Sequence, residues 1–246
     1  LVVIQDGEQD LDEQGYINAE DAKETVSVNI TLPVGVNSDT DSLVVNINGT
    51  DQTIKLSDVT ITAGGVVNVV IPAELIVDGE TITVDAYAID PAGNRSETGT
   101  DNTIVDLTIP GGPDGDGDTL GDNAPLVVIQ DGEQDLDEQG YINAQDAAVD
   151  GGVKVHVTLP DGVEAGDIVN LTISSSVDGV ADVTVPYTVL AENVADNAAP
   201  VSFDIPAEMV TDNATLTASA MITDTAGNES ATGSDNTIVD LTIPGG

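Results

Sequence analysis

Apolar residues recur at every second position through most of this chain. Thr25-Val-Ser-Val-Asn-Ile-Thr-Leu32, Thr81-Ile-Thr-Val-Asp-Ala-Tyr-Ala88 and Thr103-Ile-Val-Asp-Leu-Thr-Ile109 all alternate in this way. So do Gly152–Leu159, Thr215–Ile222 and Thr237–Ile243. A period of two sends one face of an extended segment into a core and leaves the other in water, which is the signature of half-buried strands. Clusters of Gly, Asp, Asn and Pro break these runs about every ten residues, so the pattern predicts short strands joined by turns. One helical turn is expected at Ala19–Glu24, and nothing else reads as helical.

The pattern also repeats. Leu1–Asp12 returns as Leu126–Asp137, Ile71-Pro-Ala-Glu74 as Ile205-Pro-Ala-Glu208, and Asp101–Gly112 as Asp235–Gly246. The shift between copies grows from 125 to 134 along the chain, so the second copy carries nine extra residues, expected mostly between about 165 and 200. Self-similarity on this scale divides the chain into repeat 1 (1–112), a linker (113–125) and repeat 2 (126–246). About seven alternating strands in each copy predict an all-β protein of two tandem immunoglobulin-like Greek-key β-sandwiches.

Charge changes the picture most. The 246 residues hold 45 Asp and Glu against 4 Lys and Arg, a formal net charge of −41. Nucleic acid is excluded as a partner, because phosphate contacts need a cationic face. Docking on anionic lipid is disfavoured for the same reason. Self-repulsion on this scale opposes compaction, so divalent cations or high salt are expected to support the fold, the first by local neutralisation and the second by screening. Hydrophobic residues make up 40% and aromatics only 2%, so the core must be built from Val, Ile, Leu and Ala. With no cysteine there are no disulfides and no thiolate metal sites. No run approaches the ~18 apolar residues of a membrane-spanning helix. The chain opens inside a strand-like run, Leu1-Val-Val-Ile4, as a segment cut from a longer polypeptide would.

The acids are not scattered evenly. Asp10-Leu-Asp-Glu-Gln-Gly-Tyr-Ile-Asn-Ala-Glu-Asp21 recurs as Asp135-Leu-Asp-Glu-Gln-Gly-Tyr-Ile-Asn-Ala-Gln-Asp146. Counted as a twelve-residue loop, side-chain oxygens fall at positions one, three, five, nine and twelve: Asp10, Asp12, Gln14, Asn18 and Asp21. The second copy offers Asp135, Asp137, Gln139, Asn143 and Asp146. A glycine at six (Gly15, Gly140) allows the sharp turn, position eight is apolar, and Tyr16 or Tyr141 at seven offers its backbone carbonyl. Ca²⁺ takes six to eight hard oxygens, and alternate residues of a tight loop supply them. Asp in place of the longer Glu at position twelve predicts weak binding, on the order of 10⁻⁴–10⁻³ M.

The linker, Pro113-Asp-Gly-Asp-Gly-Asp-Thr-Leu-Gly-Asp-Asn-Ala-Pro125, has the composition of a flexible tether. Its alternating Asp114, Asp116 and Asp118 nevertheless resemble the calcium-saturated segments of thrombospondin type 3 repeats. Asp122-Asn123-Ala-Pro125 resembles the inter-domain linker of cadherins, and both resemblances imply a metal-ordered junction. Strand alternation would place the loop Asp6–Asp21, Glu74, the loop Pro160–Asp167 and the turn Asp224–Asn228 beside this linker. Asp90–Asn94 and Asp224–Asn228 can bind metal or serve as hairpin turns. Glu74 and Glu208 can bind metal or simply follow a strand.

His156, the only histidine, shares the outward face of its strand with Lys154 and Thr158. A zinc site or a histidine-based triad cannot be assembled from one histidine and no cysteine. The stacking aromatics of a sugar-cleaving cleft are missing, so no enzyme is expected. Six Asn-x-Ser/Thr sequons, such as Asn48-Gly-Thr50, are near chance for this composition.

The order of an acidic loop ending Ile-Asn-Ala-(Glu/Gln)-Asp, then Asp90-Pro-Ala-Gly-Asn-Arg-Ser96 or Asp224-Thr-Ala-Gly-Asn-Glu-Ser230, resembles bacterial immunoglobulin-like repeats. These are the extender modules of giant calcium-dependent adhesins of the RTX type. The resemblance implies an extracellular, surface-anchored array that calcium stiffens, which projects a binding tip for biofilm formation or attachment. It implies neighbouring repeats of the same polypeptide as partners, a monomeric state and no insertion into the membrane. None of the Gly-Gly-x-Gly-x-Asp nonapeptides of that class occurs here, so the resemblance rests on the modules. The alternatives are a module that binds carbohydrate or protein through Ca²⁺, for which the extra residues near Tyr187–Ala199 are the candidate, and plain halophilic acidity.

Overall fold

The computed structural model describes residues 1–5, 15–112, 124–130, 140–148, 152–195 and 198–243. The chain forms two compact units, the first comprising Leu1–Thr108 with Ala226–Asn228 and the second Ile109–Thr225 with Glu229–Gly246.

Unit one contains β1 (Val2–Gln5), β2 (Tyr16–Ile17), β3 (Ser27–Thr31), β4 (Ser42–Ile47), β5 (Thr50–Lys55), β6 (Val66–Val70), β7 (Thr81–Ile89) and β8 (Gly99–Val105). These form a three-stranded sheet, β1-β3-β6, and a five-stranded sheet, β2-β8-β7-β4-β5. All neighbours are antiparallel except β2 and β8, which run parallel. The inward positions of both sheets meet in one core, with Val2, Ile4, Val28, Ile30, Leu43, Val45, Val67, Val69, Ile82 and Val84 all buried. At about 1.5–3 kcal/mol for each side chain fully buried, this aliphatic interface is the main favourable term for the unit.

Unit two repeats the plan. It contains β9 (Leu126–Ile129), β10 (Tyr141–Asn143), β11 (Lys154–Thr158), β12 (Ile168–Ser175), β13 (Val183–Thr188), β14 (Val201–Asp204), β15 (Thr215–Thr223) and β16 (Gly233–Asp240). Its sheets are β14-β11-β9 and β10-β16-β15-β12-β13. Phe203, the only phenylalanine, meets Tyr187 edge to face at 5.9 Å between ring centres. Each unit is a three-on-five β-sandwich of the immunoglobulin and fibronectin type III kind, as the period-two pattern requires.

The structure refines the sequence reading in four places. Among the described residues each unit has eight strands rather than about seven, because a short strand (β2, β10) forms inside the stretch read as loop. β1 and β9 pair in the small sheet, whereas β2 and β10 pair at the edge of the large one. A 3₁₀ turn does form after the acidic loop, at Asp21–Lys23 and again at Asp146–Ala148, but others occur at Leu56–Asp58 and Ala73–Leu75.

The third refinement concerns the final strand. It starts at Gly99 and ends at Val105, not Ile109, although the alternation continues. Two carboxylates draw the chain out of the sheet. Asp78 accepts from Leu107 N–H (2.6 Å) and from the Thr108 hydroxyl (3.0 Å), while Asp106 accepts from Thr108 N–H (3.1 Å). Asp212 and Asp240 make the same contacts with Leu241 and Thr242.

The fourth is the insertion. In unit one β4 turns into β5 through Asn48-Gly49, both at positive φ (47° and 85°), which is the two-residue hairpin turn that Asn-Gly favours. In unit two nine residues, 174–182, separate the paired Ile173 and Val183. Seven of the extra residues therefore lengthen the tip of the β12–β13 hairpin and do not lie at Tyr187–Ala199. Val177 and Val180 from this tip pack against the core.

Candidate functional site

The acidic motif spans, in sequence, the step from one sheet to the other. The chain leaves the small sheet at Gln5 and joins the large one at Tyr16; in unit two the same step runs from Ile129 to Tyr141. Asp10, Asp12 and Gln14, and likewise Asp135, Asp137 and Gln139, lie outside the described residues. So do Asp114, Asp116, Asp118, Asp122 and Asn123 of the linker.

Positions seven, nine and twelve of each loop are described. Ile104 N–H donates to the Gly15 carbonyl and Asp106 N–H to the Ile17 carbonyl, both at 2.9 Å. In a parallel pair, alternate residues face the partner strand. Gly15 and Ile17 thus face β8, and the Tyr16 carbonyl points off the free edge of the sheet, as a backbone metal ligand at position seven must. In unit two Ile238 N–H donates to the Gly140 carbonyl at 3.0 Å, so Tyr141 is set the same way.

Asn18 and Asp21 hold one another's backbone. The Asn18 Oδ1 accepts from the N–H groups of Glu20 (2.9 Å) and Asp21 (3.0 Å), and Asp21 Oδ2 accepts from Asn18 N–H (3.0 Å). Asn143 and Asp146 repeat this at 2.7, 3.1 and 2.9 Å. The arrangement is a capping box, which satisfies amide groups that a first helical turn leaves without partners. It explains the Ile-Asn-Ala-x-Asp spacing independently of metal. The Asn18 side chain is buried, and its oxygen serves the backbone.

The Asp90–Asn94 turn is hairpin chemistry. The Asp90 carboxylate accepts from Ala92 N–H (2.9 Å), Asn94 N–H (2.8 Å) and Asn94 Nδ2 (2.7 Å). The Asn94 side-chain amide, then its backbone amide, hold the Asp90 carboxyl below the usual carboxylate range. In the other copy of the motif, Ala226–Asn228 belong to unit one. There Asn228 Oδ1 accepts from Ala19 N–H at 2.7 Å, its Nδ2 donates to the Asp106 carbonyl at 3.0 Å, and Asn18 Nδ2 donates to the Ala226 carbonyl at 3.3 Å. Glu74 is exposed within a 3₁₀ turn, and Glu208 is exposed just after Pro206. His156 sits half-buried on β11 opposite Val128 and Ser202, while Lys154 beside it forms an ion pair with Asp204.

Among the described residues, no three His, Asp or Glu side chains lie close enough together to hold a metal ion, and no helix is long and apolar enough to cross a membrane. The loop chemistry still suits calcium: the remaining candidate ligands are hard oxygen donors, and the Tyr16 and Tyr141 carbonyls face outward. Sequence reasoning missed the carboxylates that act on the backbone. Asp78 and Asp212 release the last strand, while Asp101 and Asp235 cap β1 and β9. Their only sequence signal is an acid at the same place in both copies.

Solved structures similar to this chain include two bacterial adhesins. One is from a study of host cell surface retention of a 1.5-MDa bacterial ice-binding adhesin (26% identity, TM-score 0.40), covering 92% of this chain and 61% of that one. The other is from a study of a Ca²⁺-stabilized adhesin with which an Antarctic bacterium reaches out and binds ice (27%, TM-score 0.44), covering 98% of this chain and 49% of that one. This chain thus spans half to three fifths of their length. The fibronectin(III)-like modules of Clostridium thermocellum CbhA are 11% identical at a TM-score of 0.44, over 98% of this chain and 94% of theirs. No protein-family model and no curated protein matches the sequence.

Proposed function

We propose that this chain is a calcium-stiffened extender segment of a bacterial cell-surface adhesin, a spacer and not a catalyst. One observation supports the reading: in both sandwiches the same twelve-residue acidic motif spans, in sequence, the step from the small sheet to the large one. An ion bound there by Asp10, Asp12, Gln14, the Tyr16 carbonyl and Asp21 would clamp the strand that joins the sheets. It would also neutralise carboxylates that otherwise repel one another. The equivalent set in the second repeat is Asp135, Asp137, Gln139, the Tyr141 carbonyl and Asp146. The linker carboxylates Asp114, Asp116, Asp118 and Asp122, with Asn123, would take further ions between the repeats and limit their swing. The sequence resemblance to extender modules supports the same reading, including its extracellular setting.

The mechanism is linkage. A ligand that binds only the folded chain stabilises it by RT ln(1 + [L]/Kd), about 2.7 kcal/mol at a hundredfold excess over Kd. Chelation should lower the melting temperature and broaden the end-to-end distance distribution in small-angle scattering. Asp12→Ala combined with Asp137→Ala should reproduce much of the chelated behaviour. Superimposable scattering and melting curves with calcium and with chelator would reject the proposal. Equal rescue by NaCl and CaCl₂ at matched ionic strength would point to halophilic screening instead.

A further inference from the structure

The two large sheets end differently at their hairpin edges. β5 is the outermost strand of its sheet, and Thr50, Asp51, Gln52, Thr53 and Lys55 are all exposed. In an antiparallel ladder, facing residues bond to one another only at every second pair. Leu56 N–H donates to the Asp41 carbonyl at 3.1 Å, which sets the phase, so Thr50, Gln52 and Ile54 bond inward to β4. The N–H and C=O groups of Asp51, Thr53 and Lys55 therefore face away from the sheet. In unit two, Val189 N–H donates to the Asp167 carbonyl at 2.8 Å, and by the same alternation Pro186 faces the free edge of β13. Thr53 and Pro186 are equivalent positions: Thr53 pairs with Val44, which pairs with Tyr87, and Pro186 pairs with Asn170, which pairs with Met221, the repeat of Tyr87. Proline has no N–H to offer a further strand, so it blocks that edge. Thr53 leaves its edge open.

We infer that the edge of β5 pairs with the same edge of a second copy of this chain, antiparallel and centred on Thr53. The Thr53 residues of the two copies exchange backbone hydrogen bonds, and Asp51 of each copy faces Lys55 of the other. Opposite charges across a strand pair stabilise it, and like charges destabilise it. Registers slid to either side set Asp51 or Lys55 against Thr53 or against itself. The cation is available: Lys23 and Lys154 have carboxylate partners and Arg95 lies over the Tyr87 ring, whereas Lys55 makes no ion pair among the described residues. Asn46 Nδ2 donates to the Asp51 carboxylate at 2.6 Å and holds it beside the edge. The contact is isologous and closes at two copies. The net charge of −41 on each chain opposes it. At an ionic strength of about 0.15 M, however, the Debye length is about 8 Å, so distant charges are screened more than those in contact. Pairing departs from the monomeric state that the family resemblance implies. It goes beyond the spacer reading and uses none of its calcium sites.

Sedimentation of the full chain over a concentration series, in calcium buffer at physiological ionic strength, tests the pairing. A reversible monomer–dimer equilibrium is expected. Thr53→Pro should abolish the dimer and leave the melting temperature close to that of the parent, since unit two already carries proline at this position. Asp51→Lys and Lys55→Asp should each weaken association several-fold, and the two together should restore it. Asp51→Lys also lowers the net negative charge, so general repulsion alone would make it strengthen association. A monomer at every concentration would overturn the inference. So would a dimer that survives Thr53→Pro, or a double exchange no stronger than the single reversals. Should Thr53→Pro fail to fold, the charge exchange alone decides.

Discussion

Asp101 Oδ2 accepts a hydrogen bond from the backbone N–H of Ile4 at 2.8 Å, joining β8 of the large sheet to the outer edge of β1 in the small one. Alternate residues of β1 face β3, as the Thr31 N–H to Leu1 carbonyl bond shows, so the Ile4 N–H faces away from its own sheet. Left alone, it would be an open edge, able to pair with another chain. Asp235 does the same for Ile129, also at 2.8 Å.

Asp101→Ala should therefore destabilise unit one by about 1–3 kcal/mol, the cost of leaving a buried donor without its acceptor. Asp101→Asn, which keeps an acceptor oxygen, should recover most of the loss. Urea unfolding of the full chain at fixed calcium checks both. An unchanged midpoint for Asp101→Ala would show that the contact contributes nothing.

Thr237 points the other way. Its hydroxyl is buried in β16 with no hydrogen-bond partner among the described residues. Burial of an unpaired hydroxyl costs roughly 1–3 kcal/mol in proteins. Thr237→Val, nearly the same shape without the polar atom, should raise stability by about 1 kcal/mol. Calorimetric melting of the two proteins at equal calcium measures it, and a lower melting temperature would contradict the structure.

Asn18 separates cap from metal ligand. Asn18→Ala removes the acceptor for two backbone N–H groups and should cost about 1 kcal/mol in chelator as well as in calcium. Asp12→Ala should cost stability only when calcium is present. Urea unfolding in both buffers distinguishes the two residues. An Asn18→Ala loss seen only with calcium would make Asn18 a ligand first.

The Asp90 turn predicts a pH dependence. The side chain and backbone of Asn94 stabilise the ionised carboxylate, so its folded pKa lies below the unfolded Asp value of about 3.9. A lowered carboxylate pKa means stability that is fully present above the unfolded value and is lost as pH falls through the folded one. The turn should hold unchanged at neutral pH and weaken only under acid below about pH 4. Carboxyl NMR titration of Asp90 reads this directly; a midpoint at or above the ordinary value would refute it. Asn94→Ala should move the midpoint up.

Much of this protein was legible from residue order alone. Alternation in Thr81–Ala88 identified β7, the Asn48-Gly49 pair marked its hairpin, and the offset copies gave the tandem plan, because strand period and turn stereochemistry are local properties. The proposed ion loop Asp10–Asp21 can be read from sequence for the same reason: its candidate ligands follow one another along the chain. Tertiary structure decided what depends on partners distant in sequence. Val2–Gln5 and Tyr16–Ile17 belong to opposite sheets because each found a different edge, β3 for one and β8 for the other. Thr103–Ile109 was cut short because Asp78, about thirty residues away, competes for its amides. Ile-Asn-Ala reads in sequence as metal chemistry, and the fold adds a capping role and a hydrogen bond to Asn228, more than two hundred residues away. A carboxylate looks alike in sequence whether it will meet an ion or an N–H group, and only the folded chain brings one of them within reach.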